Sequence, residues 1–188
     1  MLRLLTFFVV GAVLGTVGDL MHVSGGVLGY PGATLFGEKP WVPLLMGAST
    51  LSLVVSHALL RARWREPAGG VSTVQALAGG AAFLAAWGAT AVFWRTPNAL
   101  ALGLALAYAL WPGALRLRAF LFALSVAAVG PVIEATLSFV GGFSYFTGHL
   151  ALGVPLWLPA LYLHAAMALA SIERRWPVFE DAAAPAMA

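Results

Sequence analysis

The sequence predicts an all-α polytopic membrane protein, a bundle of six transmembrane helices around a central lipid-accessible cavity. Of its 188 residues, 61% are hydrophobic and only 9% are charged, whereas soluble domains carry about a quarter charged residues. Near-continuous apolar stretches of about 20 residues match the length that crosses a bilayer core. These stretches lack the alternation of barrel strands, and the backbone must satisfy its own hydrogen bonds in lipid, so helices are expected.

Turn-forming sequences divide the apolar stretches into six spans. Gly25-Gly26 follows the first span and Trp111-Pro112-Gly113 closes the fourth. The first span is expected to be a mature helix rather than a signal peptide, because its apolar run is long and no clear small-residue cleavage site follows. The predicted single transmembrane domain covers residues 1–176, with a cytoplasmic tail at 177–188 and spans at about 4–22, 41–60, 73–93, 98–115, 119–139 and 154–172.

The basic residues predict the orientation of the chain. Eight of the ten fall on one side of the predicted spans, namely Arg3, Arg61, Arg63, Arg65, Arg116, Arg118, Arg174 and Arg175. Only Lys39 and Arg95 fall on the other side. By the positive-inside bias, both termini are expected in the cytoplasm. The net charge of +3 therefore indicates topology and contact with anionic headgroups, and no nucleic-acid partner is expected.

Three ionisable residues within the spans are the first functional candidates, because a charge in hydrocarbon is costly. Asp19 and His22 are three residues apart and share one helix face. Glu134 is expected at a similar depth, in the outer half of span five. The three could form one polar cluster. Alternatively, Asp19 and His22 reach the outer interface, and Glu134 is a protonated carboxyl in a helix contact.

Span five contains Gly130-Pro131 shortly before Glu134. A proline inside a helix removes one hydrogen bond and crowds the preceding turn, so a kink is expected. A bent helix leaves room for a ligand beside it. The alternative is an ordinary transmembrane proline with no ligand nearby.

The chain carries no recognisable catalytic set. It has no cysteine, no metalloprotease or nucleophile-elbow motif and no phosphate-binding glycine loop. His57 and His164 have no second metal ligand at a suitable spacing, so each is expected to hydrogen-bond a neighbouring helix. The protein is therefore predicted not to be an enzyme, and to use no cofactor or metal. Gly11-x-x-x-Gly15 offers a small-residue face for close helix packing or homo-oligomerisation.

Several short motifs occur in a fixed order along the chain. The predicted first two helices and their loops contain Gly11-Ala-Val-Leu, Asp19-Leu-Met-His22, Tyr30-Pro31, Trp41-Val-Pro43, Gly47 and Glu66-Pro67. The region before and within the last helix contains Gly141-x-Phe143-x-Tyr145 and Trp157-Leu158-Pro159. This ordered set resembles the Insig (insulin-induced gene) family. The family has Asn and Gln where this chain has Asp19 and His22. The match is good for spans one, two and six and loose for spans three and four.

The resemblance implies a non-catalytic six-helix protein that binds a lipid among its helices. In animals the family binds oxysterols and retains the escort protein Scap or presents HMG-CoA reductase for degradation. The family's aspartate after helix four is missing from the loop Pro112-Gly113-Ala114-Leu115-Arg116, so a Scap-type partner is not expected. The arginine, alanine and glycine usage indicates a high-GC bacterial genome, and a bacterial plasma membrane is favoured over the endoplasmic reticulum.

These expectations combine into one functional hypothesis, an Insig-like lipid sensor or regulator. Its ligand would be a lipid with a small polar head, either sterol-like or a diacylglycerol. By the resemblance, Phe83 corresponds to the family's helix-three phenylalanine and Asn98 to its polar ligand-side residue. The predicted lipid-binding residues are Asp19, His22, Phe83, Trp87, Asn98, Glu134, Tyr145 and Trp157. The alternative hypothesis is a small membrane enzyme or proton-coupled carrier that uses Asp19, His22 and Glu134.

Overall fold

The computed structural model describes residues 1–34, 36–67, 69–146 and 153–179. These residues form six α-helices and one antiparallel pair of two-residue strands, which confirms the all-α prediction. Most of the predicted tail, residues 180–188, lies outside the described residues. The elements in chain order are α1 (Leu2–Ser24), β1 (Leu28–Gly29), α2 (Val42–Arg63), α3 (Thr73–Phe93), α4 (Pro97–Ala109), α5 (Leu117–Phe139), β2 (Ser144–Tyr145) and α6 (Leu158–Arg175).

Four of the described helices, α1, α2, α3 and α5, are long and apolar enough to cross a membrane. At 1.5 Å per residue, a helix of about 22 residues extends roughly 33 Å, which matches the hydrocarbon core. Their outward faces expose large apolar side chains such as Val13, Leu77 and Val129. Exposing so large an apolar surface to water costs free energy, whereas contact with lipid tails does not. The chain is therefore an integral membrane protein.

Helix α6 is the centre of the bundle and packs against α2, α3, α4 and α5. It also carries His164 and Glu173, both of which are buried. Polar side chains in a membrane protein face the protein interior. The central position of α6 thus explains why the helix with the most protein neighbours is not among the four that are long and apolar enough to cross a membrane.

Two helix ends differ from the predicted spans because of prolines. Helix α4 ends at Ala109 rather than near 115, since Pro112 cannot donate a backbone hydrogen bond and disfavours helical geometry at the residue before it. Helix α6 begins at Leu158 rather than at 154, with Pro159 in its first turn. Proline suits that position because the first helical N–H groups have no partner within the helix.

The glycines of α1 allow it to lie directly against its neighbours. A Cβ atom at Gly11 would lie 2.3 Å from Oγ1 of Thr50 on α2, and one at Gly15 would lie 2.5 Å from Cβ of Met46. One turn further, a Cβ at Gly18 would enter the ring of Trp87 on α3. The small-residue face predicted from Gly11-x-x-x-Gly15 is therefore used for packing within this chain.

The strand pair ties two connections together at one end of the bundle, here called the strand end. Leu28 pairs with Tyr145 and Gly29 with Ser144 in antiparallel register. The pair joins the α1–α2 connection to the α5–α6 connection. As a consequence, Tyr145 of β2 lies beside the carboxyl group of Glu134 on α5.

Candidate functional site

A cavity of about 270 Å³ lies inside the bundle. Helices α1, α2, α3, α5 and α6 and both strand-end connections contribute the described lining residues, most of which are apolar. Val10 and Leu14 of α1 and Leu84 of α3 line the cavity and are also 43–47% exposed on the bundle surface. The cavity therefore reaches the surface that faces lipid, and its polar groups lie towards the strand end.

Glu134 is the first polar centre of the cavity. The hydroxyl of Tyr162 on α6 donates to its Oε1 at 2.6 Å, and the hydroxyl of Tyr145 donates to its Oε2. The ring of Tyr162 lies so close to Gly130 that a Cβ there would be 2.5 Å from it. Because Gly130 has no side chain, the ring of Tyr162 can pack against α5 at this point, and its hydroxyl reaches the Glu134 carboxyl group. Sequence reasoning found Glu134 and Tyr145 but missed Tyr162.

Asp19 is the second polar centre. The hydroxyl of Tyr30 donates to its Oδ2 at 2.8 Å, and the carboxyl group of Glu38 interacts electrostatically with that of Asp19. Asp19 and Glu38 are only 4% and 1% exposed. Burial and the adjacent Asp19 charge raise the pKa of Glu38 to about 8. Burial and Asp19 also raise the pKa of Tyr30, so its hydroxyl remains a donor.

Glu38 was not predicted, because it lies in a loop and the cost of a buried charge points only to ionisable residues within the spans. One signal in the sequence could have identified it. Of the seven acidic residues, it is the only one that lies in a loop on the predicted outer side. An acid there, in a loop that returns over the bundle, was a candidate partner for Asp19.

His22 is held by a closed set of hydrogen bonds with α3. The Trp87 indole N–H donates to Nδ1 at 3.4 Å, Nε2 donates to Oγ1 of Thr90 at 2.7 Å, and the Thr90 hydroxyl donates to the Trp87 carbonyl at 2.6 Å. This pattern assigns the neutral imidazole with its proton on Nε2. Both ring nitrogens have partners, so His22 positions Trp87 in the cavity wall. Thr90 was not among the predicted residues.

The structure brings six of the eight predicted site residues to the cavity wall, namely Asp19, His22, Phe83, Trp87, Glu134 and Tyr145. Trp157 is fully buried just behind this wall, with ring-centroid distances of 5.6 Å to His22 and 6.3 Å to Tyr145. Asn98 is exposed in the first turn of α4 and is not among the lining residues. Helix α4 contributes no described residue to the lining.

The other histidines contact neighbouring helices. His57 Nδ1 lies 2.8 Å from Oε2 of Glu173, and Nε2 of His164 donates to the Leu104 carbonyl at 2.9 Å. Glu173 is also paired with Arg61 at the end of the bundle opposite the strands, here called the arginine end. Within the ranges that the structure describes, no group of three or more histidine or acidic residues could hold a metal ion.

The fold and the cavity define a class: an integral membrane helix bundle with an internal apolar cavity and hydrogen-bonding groups at one end. The chain is 34% identical over 167 residues to the INSIG protein homolog of Mycolicibacterium vanbaalenii, which covers 82% of this chain and 77% of that protein. The chain belongs to the Insig family, as its motifs predicted. No family model matches it.

Solved structures agree with this assignment. The crystal structure of the mycobacterial Insig homolog MvINS from Mycobacterium vanbaalenii superposes with a TM-score of 0.78. A crystal structure of a cross-linked MvINS trimer superposes with a TM-score of 0.73. Each is 26% identical to this chain, and each alignment covers 93% of both chains.

Proposed function

We propose that this Insig-family protein binds a lipid with a small polar head in its cavity and acts as a lipid sensor or regulator rather than as an enzyme. One observation carries the proposal: the apolar cavity of about 270 Å³ has its hydrogen-bonding groups at one end and reaches the bundle surface. Ligand pockets are mostly apolar, with a few polar groups that fix orientation.

The volume of the cavity and its few polar groups limit which lipid head groups it can bind. Its volume is near the lower end of the range of about 300–1,000 Å³ for small-molecule sites. It accommodates a small head and the adjoining part of one lipid, while the remaining tail extends past Val10, Leu14 and Leu84 into the bilayer. A hydroxyl group can hydrogen-bond to Glu134 or Asp19, whereas a large charged head would lose hydration without enough partners.

Sterol-like lipids and diacylglycerol both have such a head. Bacterial membranes usually lack sterols, and the relative of this chain is mycobacterial. A neutral glycerolipid such as diacylglycerol is therefore the favoured ligand, and the bacterial plasma membrane is the proposed location.

The contacts of the candidate residues favour binding over catalysis or proton-coupled transport. Asp19 and Glu134 do share the cavity, as the alternative hypothesis requires. However, His22 has a partner on each ring nitrogen, and both oxygens of Glu134 accept tyrosine hydroxyls. The hydrogen bonds of His22 and Glu134 hold both side chains in fixed positions, which suits a polar binding surface better than a proton-transfer site.

The assembly proposed for this chain is a homo-oligomer, with a trimer as the first candidate. The support is the cross-linked trimer of the related MvINS. Cross-linking in native membranes followed by mass analysis tests it, and a monomer alone would overturn it.

Lipid analysis of the purified protein tests the binding proposal. The chain is extracted in mild detergent, and its lipids are compared with the bulk extract by mass spectrometry. One lipid class should be enriched. Ser49→Trp should reduce that enrichment at least tenfold, because Ser49 lines the cavity and is exposed enough to accept a larger side chain.

Ala48→Trp is the matched control, since Ala48 is exposed on the same helix and is not a lining residue. It should leave the enrichment unchanged. If no lipid class is enriched in the parent protein, or if both tryptophan variants behave alike, the proposal fails.

A further inference from the structure

The described lining of the cavity contains two carboxyl groups but no lysine or arginine. Asp19 of α1 and Glu134 of α5 both line the cavity, and Asp19 is only 4% exposed. The lining histidine, His22, is the neutral tautomer, because one ring nitrogen accepts the Trp87 N–H and the other donates to Thr90. The charge of a carboxylate in this cavity is therefore not offset by any described lining residue.

The two carboxyl groups belong to one connected cluster at the strand end. The Tyr30 hydroxyl donates to Asp19, and the Tyr145 hydroxyl donates to Glu134. Phe143 packs against both tyrosines, with ring-centroid distances of 5.8 Å to Tyr30 and 5.4 Å to Tyr145. A compact head group bound at this end therefore lies close to both acids and to these aromatic rings.

Aromatic rings form much of the wall around the acids. The described lining residues include Tyr30, Phe83, Trp87, Phe143, Tyr145 and Tyr162. On the α3 side, the rings of Phe83 and Trp87 pack with their centroids 5.2 Å apart. The face of an aromatic ring is negative and attracts a cation that lies within about 6 Å of its centre. Pockets lined by aromatic rings bind ammonium groups in this way, and a carboxylate adds the opposite charge.

Asp19 has the acceptor capacity that such a ligand needs. A carboxylate can accept about four hydrogen bonds through its two oxygens, and the Tyr30 hydroxyl uses one position on Oδ2. Glu38 also interacts with Asp19, but it adds a third carboxyl group rather than a counter-charge. Each oxygen of Glu134, by contrast, already accepts a tyrosine hydroxyl. Asp19 is therefore the acid best placed to pair with a bound cation.

The arginine end shows how this chain balances a buried acid with its own residues. Glu173 is fully buried there, and Nη2 of Arg61 lies 3.3 Å from its carboxylate. A buried carboxylate without a cation nearby is costly, above all in a membrane protein. At the strand end, Lys39 of the α1–α2 connection donates to the Gly32 carbonyl instead. A bound ligand can supply the cation that the cavity wall lacks.

We propose that the lipid bound by this chain carries a compact ammonium head, which pairs with Asp19 among the aromatic rings of the cavity. The pairing rests on the proposed lipid binding and narrows its ligand from any lipid with a small polar head to lipid amines. A hydroxyl head, as in diacylglycerol, can hydrogen-bond to the same carboxylate but brings no charge. Hydrogen bonds between ionised groups are roughly twice as strong as neutral ones. Diacylglycerol is then the favoured neutral lipid, and an amine with the same tail binds more tightly.

Two probes that differ only in the head group test the charge of the ligand. Dodecylamine carries an ammonium at pH 7, whereas 1-dodecanol carries a hydroxyl on the same chain. Binding of each radiolabelled probe to lipid-depleted protein is measured in dodecyl maltoside micelles, and the uptake by empty micelles is subtracted. The parent protein should bind dodecylamine at least about tenfold more tightly than 1-dodecanol. Equal affinities would overturn the ammonium head.

Three variants locate the preference in the cavity. Asp19→Asn keeps an oxygen for the Tyr30 hydroxyl but removes the charge, so the two probes should bind with affinities within about twofold of each other. Phe83→Leu removes one ring and should weaken dodecylamine at least about twofold more than 1-dodecanol. Glu66→Gln removes a carboxylate at the arginine end and should keep the parent's preference. A preference that survives in Asp19→Asn overturns the pairing. If that variant does not fold, an unchanged preference in Phe83→Leu overturns it.

Lipid analysis of the purified parent protein separates the ammonium head from the proposed function. An enriched neutral lipid, together with equal affinities for the two probes, retains lipid binding and overturns the ammonium head. An enriched lipid amine supports both. The absence of any enriched lipid, with neither probe bound, overturns both.

Discussion

Arg61 on α2 and Glu173 on α6 form a buried bidentate ion pair. Nε and Nη2 of the guanidinium each lie 3.3 Å from a different oxygen of the carboxylate, and the two side chains are 3% and 0% exposed. His57, one helical turn before Arg61, contacts the same carboxylate at 2.8 Å. The pair joins the central helix to α2 at the arginine end. Each buried charge is neutralised by the opposite charge of its partner.

Removing the acid from this pair should destabilise the bundle strongly. Glu173→Ala leaves Arg61 buried without its counter-charge, a change that typically costs about 3–5 kcal/mol. Denaturant unfolding in detergent, followed by circular dichroism, measures the loss. Glu66→Gln is the control: its partner Arg118 is half exposed, and such surface pairs contribute about 0–1 kcal/mol. Equal losses in the two variants would contradict the role assigned to the buried pair.

Close packing of α1 on α2 should make Gly11 intolerant of a methyl group. The new Cβ of Gly11→Ala would lie 2.3 Å from Thr50, so the helices must separate, at a cost of about 1–3 kcal/mol. Gly103→Ala on α4 meets nothing within 4 Å and should be neutral or stabilising by up to about 1 kcal/mol. Melting temperatures of the two variants should shift in opposite directions or differ clearly. A Gly11→Ala protein as stable as the parent would refute the contact.

The tyrosine pair on Glu134 should matter for ligand retention as well as for stability. Tyr162→Phe leaves Oε1 of Glu134 without its donor, which costs about 1–3 kcal/mol and alters the polar end of the cavity. We expect less co-purifying lipid, measured by mass spectrometry. Tyr108→Phe also removes a buried hydroxyl bond, to the Ala114 carbonyl, but outside the cavity. It should lose stability and keep its lipid, so equal lipid contents would argue against a ligand role for Tyr162.

The arginine distribution predicts that the carboxyl terminus lies in the cytoplasm. A fluorescent reporter that folds only in the cytoplasm, fused after Ala188 in a bacterial host, should be bright. A phosphatase reporter that is active only outside should be inactive at the same site. The reverse pattern would reject the predicted orientation and reassign the strand end to the cytoplasmic face.

Much of the candidate site could be predicted from isolated residues. Asp19, His22 and Glu134 stood out because charge is costly in an apolar span, and Tyr145 came from the family motif. Their partners could not be predicted in the same way. Tyr162 is a lone tyrosine among the alanines and leucines of α6, and Thr90 is a small polar residue among the alanines of α3. In the sequence, neither residue can be distinguished from one that only packs. The distinction depends on which residue of the neighbouring helix each one contacts.

The sequence by itself determined that the chain is a membrane protein made of helices and a member of the Insig family. Hydropathy is a local property summed over about 20 neighbouring residues, so it can be read from the sequence alone. Tertiary structure alone decided that α6 is central and that Tyr145 and Tyr162 both reach Glu134. It also decided that Asp19 accepts the Tyr30 hydroxyl and that Glu173 pairs with Arg61, 112 residues away. Such pairings depend on atoms approaching within about 3 Å, and only the packing of whole helices sets that distance.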